Sequence, residues 1–541
     1  MFNRKSNPQR TPFGFAQGRF WFHKGASAEI LCVAFVSFVV GLFLTSCARK
    51  PDPNTLVMII ESSPVNLDPR VGTDAQSERI DSLIFDALVH RDEHFSFTPS
   101  LAERWEIPDP LTYVFHLRHG ARFHDGRPLT SGDVKWTFDS VLTSKIRTTK
   151  TGAYQAVDHI EAPDAYSVVF RLKEPFSTLL FNVSDGAIGI VPYGEGEGFN
   201  LHPIGSGPFR FVRNEQDKEA VIERNDQYWG EKAHVQRVLF TVVPDTTTRA
   251  LELRKGSADV AINALTADMV VAERKDPRLG IETASGTTYT YIAPNLRDPI
   301  LKDVRVRQAI AYAIDRAPMI HYIWRDLVEP ANSVLPPQHW AHDPAAPQYD
   351  YDPQRARALL DAAGFKPVKD GIRFHLALKT TAEEWNRLLA AILQQQLKDV
   401  GIALDIRSSE FATFYADVQK GNFQLFTGLR WLGGSNQDPD IFEYVFDSAS
   451  FPPKRANRGF YANPRVDQLI AAGRSELDQE KRRKIYSELQ QILNRDLPYI
   501  HLWYFNNVLV HSDRVSNIHL THSGNYDFLT TAEVKSAASS Q

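Results

Sequence analysis

Cysteine is nearly absent from this chain. Its 541 residues hold two, Cys32 and Cys47, and both precede residue 50. From residue 48 onward, disulfides, cysteine-based metal sites and thiol nucleophiles are therefore excluded. A surplus of positive charge is missing too. The formal net charge is -4, although Arg4, Lys5, Arg10, Arg19 and Lys24 face only Glu29 in the first 46 residues. The remainder is thus more acidic than the whole, with no electrostatic reason to bind nucleic acid. Long apolar runs are missing except at 30–44, ILCVAFVSFVVGLFL. That run falls short of the ~20 residues of a membrane-spanning helix. No internal repeat of solenoid period is present, and no pair of catalytic carboxylates stands out.

What is present at the N-terminus reads as an address. A basic stretch precedes the apolar run, as in a secretory signal. The run ends in Leu44-Thr45-Ser46-Cys47, which resembles the bacterial lipobox, where small residues precede a cysteine that becomes lipidated. Residues 1–47 are therefore expected to be a signal sequence and 48–54 a polar tether, with a lipid on Cys47 holding the body at a membrane. Ala48 after Cys47 supplies no acidic retention signal.

The body has an ordinary globular composition, 43% apolar and 23% charged, and its length implies two or three lobes. Residues 55–60 form a short apolar strand, and 80–89 reads as a helix with Ile80, Leu83, Ile84, Ala87 and Leu88 inward. Tyr113, Phe115 and Leu117 alternate, as do Tyr166, Val168, Phe170 and Leu172, so both segments are strands. Between them 130–142 reads as a helix capped at Thr130 or Ser131. The run 238–243, a helix ending near Gly256 and a strand at 258–262 spell a parallel α/β unit. The second half repeats that grammar. Asp352-Pro353 and Asn463-Pro464 open helices, a stripe from Trp385 to Leu397 ends at Gly401, and Ile402, Leu404 and Ile406 alternate. The tail 533–541 is small and polar and expected to fray.

Several blocks stand in one order: Ala102-Glu103-Arg104-Trp105-Glu106, Phe123-His124-Asp125-Gly126, Ile204-Gly205-Ser206-Gly207-Pro208-Phe209 and Asn225-Asp226-Gln227-Tyr228-Trp229-Gly230. Gly256-Ser257-Ala258-Asp259 and the stretch from Asp303 to Arg316 follow. Together they resemble family 5 extracellular solute-binding proteins, the oligopeptide-, dipeptide- and nickel-binding proteins of ABC importers. The resemblance covers residues 55–530. It implies an α/β, periplasmic-binding-protein-like fold, two-lobed and hinged, with an additional β-rich domain. Lobe I would combine 55–97, 204–288 and 516–535; domain II would be 98–203 and lobe III 289–515. It implies a monomeric, non-enzymatic receptor on the periplasmic or extracellular face, without cofactor, handing a small solute to a permease and ATPase complex.

The resemblance also directs attention to Arg430, Trp431, Gly433, Gly434 and Ser435, a loop after the apolar run 423–426. In peptide-binding relatives an Asp three residues after the matching Trp pairs with the peptide's α-ammonium. Here that position is Gly434, and no carboxylate appears before Asp438. Either another carboxylate serves, with Asp74 the candidate, or the solute lacks a free amine; Arg430 can instead anchor an anionic group. Asp438-Pro439-Asp440 reads as the start of the next helix. Thr73, Asp74 and Ala75 match a cleft-lining segment of lobe I, and His501, Trp503 and Tyr504 fall near another. Peptide is the first expectation for the cargo; oligosaccharides, opine-like compounds and nickel chelates are the alternatives, and a secreted hydrolase is a further reading.

The other motifs carry less. Gly194-Glu195-Gly196-Glu197-Gly198 lacks the strand and helix of a dinucleotide site and reads as a flexible acidic loop. Gly205-Ser206-Gly207 reads as a tight crossing, and Phe123-His124-Asp125-Gly126 as a turn. His116, His119 and His124 have no cysteine partners and make a weak case for a metal.

Overall fold

A computed structural model describes residues 52, 54–184, 186, 188–431 and 437–535. Cys47, the signal sequence, most of the tether, Gly433, Gly434, Ser435 and residues 536–541 lie outside the described residues.

One twelve-stranded sheet organises the chain. Its order runs Ile402–Ser409, Phe374–Thr381, Leu425–Phe426, Leu279–Pro294, Ile500–Ser512, Val260–Ile262, Thr55–Ile60, Arg237–Val242, Glu219–Arg224, Phe209–Glu215. Val328–Pro330 lies beside Ile500–Ser512, and Arg430–Trp431 beside Leu279–Pro294. Each end of this order contains parallel strands: Thr55–Ile60 with Arg237–Val242 and Val260–Ile262, and Phe374–Thr381 with Ile402–Ser409 and Leu425–Phe426. Between them the two long strands pair antiparallel along almost their whole length. Their ladder breaks between Ala284 and Thr288. A Cβ on Gly286, in that break, would sit 2.1 Å from the Phe505 carbonyl oxygen, so only glycine allows the approach.

A separate antiparallel sheet takes the order Ala102–Asp109, Thr112–Leu117, Ser167–Leu172, Val157–Asp164. Helix Ser131–Leu142 covers it. Phe138 meets Phe170 edge-on at 5.1 Å and Tyr154 at 5.3 Å, and Phe115 meets Phe170 at 5.5 Å. Edge-to-face rings add to the burial of these large side chains.

Most element starts follow the local chemistry of the sequence. Thr130 and Asp133 form a capping box. Asp352 and Asn463 cap helices that carry proline in their first turn, and Gly256 closes Thr246–Lys255 in the left-handed region at φ 75°. Three expectations change. The helix expected at 80–89 is Ala75–Ile84, because Asp74 caps it through the Ser77 amide and Phe85 is already extended. The 533–541 tail does not fray from its start: Glu533–Val534 pairs with Val515–Ser516. The glycine-rich acidic loop is fastened, since the Glu195 carbonyl accepts from Arg70 and Trp136 at 3.0 and 3.1 Å.

Candidate functional site

Strand register locates the site. Val260 faces His511 and Ile262 faces Leu509, so this strand runs toward Asn507. Leu425 faces Pro294 and Phe426 faces Ala293, so that one runs toward Thr290. The two parallel groups thus point at each other along the central pair and stop on either side of the Gly286 break. Crevices at the carboxyl ends of parallel strands are where open α/β sheets bind small molecules. The loops opening there are 61–74 and 263–266 on one side, and 382–383 and 427–429 on the other.

On the second side stands Arg430–Trp431, found as a short strand paired with Tyr289 and Thr290 rather than as the loop expected. Adjacent side chains of a strand point to opposite faces, and these two do. The Arg430 guanidinium lies 4.2 Å from the Trp385 ring centroid and 4.6 Å from that of Phe505. Trp324 meets Phe505 edge-on at 4.7 Å and Trp385 at 5.6 Å, completing the aromatic surround. Among the described residues no carboxylate comes within ion-pairing distance of Arg430. Glu383 attracts it from further off while bonding Trp385 Nε1 and Asn386. Burial pulls the Arg430 pKa down to about 10. It stays cationic at neutral pH and is held between rings, its anion-binding edge without an ion-pair partner among the described residues. Trp431 packs on the other face, parallel to Tyr291 at 6.5 Å and edge-on to Tyr444 at 5.9 Å. Trp385, Phe505 and Trp324 were not singled out by the sequence; only the fold brings them to Arg430.

On the first side Thr73 and Ala75 are exposed and Asp74 half-buried. The Asp74 carboxylate accepts from the Ser77 amide at 2.9 Å and the Val65 amide at 3.3 Å. It is a helix cap first, with lone pairs to spare.

His501, Trp503 and Tyr504 do not form one lining surface. Trp503 is fully buried in the core beneath Ala309, Ile310 and Leu393. Tyr504 is buried in the other major core of that half, and its hydroxyl donates to the Ser333 and Leu335 carbonyls at 2.5 and 2.8 Å. As strand neighbours they face opposite sides of the sheet, so both are corrected to core positions. His501 Nδ1 accepts from the Tyr289 hydroxyl at 2.6 Å. Burial, with Arg316 and His342 nearby, pushes its pKa down to about 3, so the ring is neutral.

The signature blocks meet elsewhere, in one architectural node. Asp86 accepts from Ser206 Oγ at 2.9 Å, Tyr228 Oη at 3.0 Å and Trp229 Nε1 at 2.8 Å. His124 bonds the Gly207 carbonyl and the Gly205 amide at 3.1 and 3.2 Å. The Gly205-Ser206-Gly207 crossing presses on helix Ala75–Ile84: a Cβ on Gly205 would fall 1.9 Å from the Ile84 carbonyl oxygen. The three neighbouring histidines diverge, with His116 beside Glu106 and His119 against Tyr166.

Asp438 and Asp440 lead into helix Ile441–Phe446, as the sequence suggested, with Asp438 Oδ1 accepting from the Asp440 amide at 2.8 Å. Burial pushes the Asp438 pKa up to about 6, opposed by Arg482 and Arg91. Its neighbour Gln437 accepts from Arg91 at 2.6 Å and from His339 at 3.2 Å.

Two α/β halves on a shared strand pair, with their strand ends facing each other, define a two-lobed, hinged solute-binding protein with an added β-rich domain. The chain belongs to the bacterial extracellular solute-binding proteins, family 5, whose middle part matches residues 96–452. It is similar to the oligopeptide-binding protein AppA of Bacillus subtilis, 27% identical over 514 residues, covering 88% of this chain and 93% of AppA. The dipeptide-binding protein of Escherichia coli is 26% identical over 491 residues, covering 85% of this chain and 91% of its own. The structure of NikZ from Campylobacter jejuni in complex with Ni(L-His) superposes with a TM-score of 0.74 at 26% identity, covering 89% of this chain and all of NikZ. These relatives are binding proteins. No described helix is long and apolar enough to cross a membrane.

Proposed function

We propose that this chain is the solute-capturing component of an ABC importer, tethered at the outer face of a membrane by lipid on Cys47 and acting as a monomer. Its solute is a small carboxylate-bearing molecule, peptide or peptide-like. Lobe I is assigned to 55–97, 204–288 and 516–535, domain II to 98–203 and lobe III to 289–515. Solute shifts an open–closed equilibrium by touching both lobes, and the closed form docks the permease. The observation that carries the reading is Arg430: a guanidinium held between Trp385 and Phe505 at the strand ends, without an anion among the described residues. A carboxylate there completes a charge-assisted bidentate pair. Oligopeptides, dipeptides and the nickel–histidine complex of the relatives all bring carboxylates.

Gly433, Gly434 and Ser435 stay in the proposed site as the segment that follows Trp431, and Thr73 and Ala75 as its opposite wall. Asp74 is the proposed replacement for the ammonium-binding carboxylate that Gly434 lacks. Thermal shifts of the full chain against free-amine peptides, their N-acetylated forms, oligosaccharides and nickel–histidine test this. A solute at 100 times its Kd adds about 2.7 kcal/mol of stability. A shift with free-amine peptides that acetylation abolishes supports Asp74; a shift from oligosaccharides alone sinks the carboxylate reading. Peptides recovered intact, by mass spectrometry, distinguish capture from hydrolysis.

A further inference from the structure

A second arginine lies on the opposite face of the Arg430–Trp431 strand, and among the described residues it too has no anion within ion-pairing distance. Arg458 is 6% exposed. Its guanidinium sits 5.3 Å from the Trp431 ring centroid and 5.4 Å from that of Tyr415. Nη2 donates to the Tyr415 hydroxyl at 3.3 Å, and Nε has no acceptor. Tyr291 and Tyr499 stack beside it with centroids 4.0 Å apart, and both act on Arg458 electrostatically. The hydroxyls of Tyr291 and Tyr499 and Nε1 of Trp431 are buried too, and among the described residues they make only loose contacts with one another and with Arg458.

The imbalance is chemical. Guanidinium and indole N–H groups only donate, and each phenol brings a proton of its own. With Arg458 and one phenol donating to the other phenol's oxygen and Trp431 to the remaining one, a phenol proton is still left without an acceptor among these four side chains. Burial raises both phenol pKa values, so neither becomes an anion that could neutralise Arg458 at neutral pH. A buried cation without a counter-charge is strongly destabilising, and each orphaned donor adds to that cost. The cluster is not sealed deep in the core. Phe411, 56% exposed, stacks on Tyr415 at 5.7 Å, and Tyr444, 39% exposed, stands edge-on to Trp431. Partly exposed aromatic rings thus flank a set of groups in which donors outnumber acceptors.

We propose that Arg458, Tyr291, Tyr499 and Trp431 form a second oxyanion subsite, taking a carboxylate or phosphate group of the captured solute. The solute then carries two separated anionic groups, one for each arginine. This rests on the reading of the chain as a solute receptor.

The test is calorimetric titration of the full chain with three probes: N-acetyl-alanyl-glutamate, which has two carboxylates, N-acetyl-alanyl-glutamine, which has one, and N-acetyl-phosphoserine. The glutamate peptide is expected to bind about tenfold or more tighter than the glutamine peptide. Arg458→Met is expected to remove that preference while leaving the glutamine peptide within about twofold of its original affinity. It is also expected to raise the melting temperature of the ligand-free chain, because an apolar side chain replaces an uncompensated buried charge. A purely structural arginine gives the reverse, a lower melting temperature. Tyr499→Phe keeps the ring and removes one donor, and is expected to reduce the preference about fivefold; it serves if Arg458→Met fails to fold. Tightest binding of N-acetyl-phosphoserine assigns the subsite to phosphate. Equal binding of the two peptides, or a preference that survives both substitutions, overturns the second subsite and leaves the receptor reading standing. Binding of none of the probes, nor of dipeptides or nickel–histidine, overturns the receptor reading and the subsite with it.

Discussion

Trp229 donates its indole N–H to Asp86 at 2.8 Å, joining segments 143 residues apart. Ser206 and Tyr228 donate to the same carboxylate. Asp86→Ala leaves the buried Ser206 and the half-buried Tyr228 and Trp229 donors without their acceptor, at up to ~1–3 kcal/mol each before relaxation. A loss of at least ~3 kcal/mol is expected in chemical denaturation. A loss below ~1 kcal/mol means that the node is not holding these blocks together.

Gly205 is needed for contact, not for turn conformation. Its missing Cβ would stand 1.9 Å from the Ile84 carbonyl oxygen, which is backbone and cannot swing aside. Gly205→Ala is expected to lower the melting temperature by about 10 °C or to block folding, whereas Gly194→Ala, with nothing near its Cβ position, costs only the ~1 kcal/mol of left-handed backbone strain. Equal effects in a thermal melt refute the contact argument.

Arg430→Met is expected to weaken binding of a carboxylate solute about tenfold to a hundredfold without lowering the melting temperature of the ligand-free chain. Arg430→Lys rescues little, since an ammonium does not offer a planar fork between two rings. Wild-type affinity in either variant, measured by titration, removes Arg430 from the site.

Asp438 gives a pH signature. Its folded pKa of about 6 lies above the ordinary value of 3.8. Its share of stability is therefore full below about pH 4 and lost as pH rises through 6, by ~3 kcal/mol at most. Relative to wild type, Asp438→Asn should gain melting temperature between pH 4 and pH 7. A constant difference across that window means the carboxyl titrates normally.

What the sequence disclosed was local. Asp352 with Pro353, and Asn463 with Pro464, cap helices through residues two or three positions on, so each cap is complete within one turn of chain. The strand Leu279–Pro294 was not legible. Gly280, Gly286 and a run of threonines hide its alternation, and Ile500–Ser512 holds it by pairing from far along the chain. Trp503 and Tyr504 looked like cleft residues because a string cannot tell which of two packed faces a neighbour covers. Helix Ala75–Ile84 was displaced because its first turn is polar, and only Asp74, as cap, marks its start. Of the Arg458 cluster only Trp431 was singled out: the members lie at 291, 431, 458 and 499, and no spacing rule reaches between them.

The two long strands that run through both halves of the sheet behave as a leaf spring. Each is clamped at both ends by neighbouring strands, and the ladder between the two is interrupted around Gly286. Bending concentrates there, and the flanking ladders carry the twist as stiff arms. Motion about such a flexure follows one arc in both directions, so filling and emptying retrace a single path. A bulky side chain at 286 would wedge the flexure at a fixed angle through the Phe505 backbone, arresting the protein in one posture.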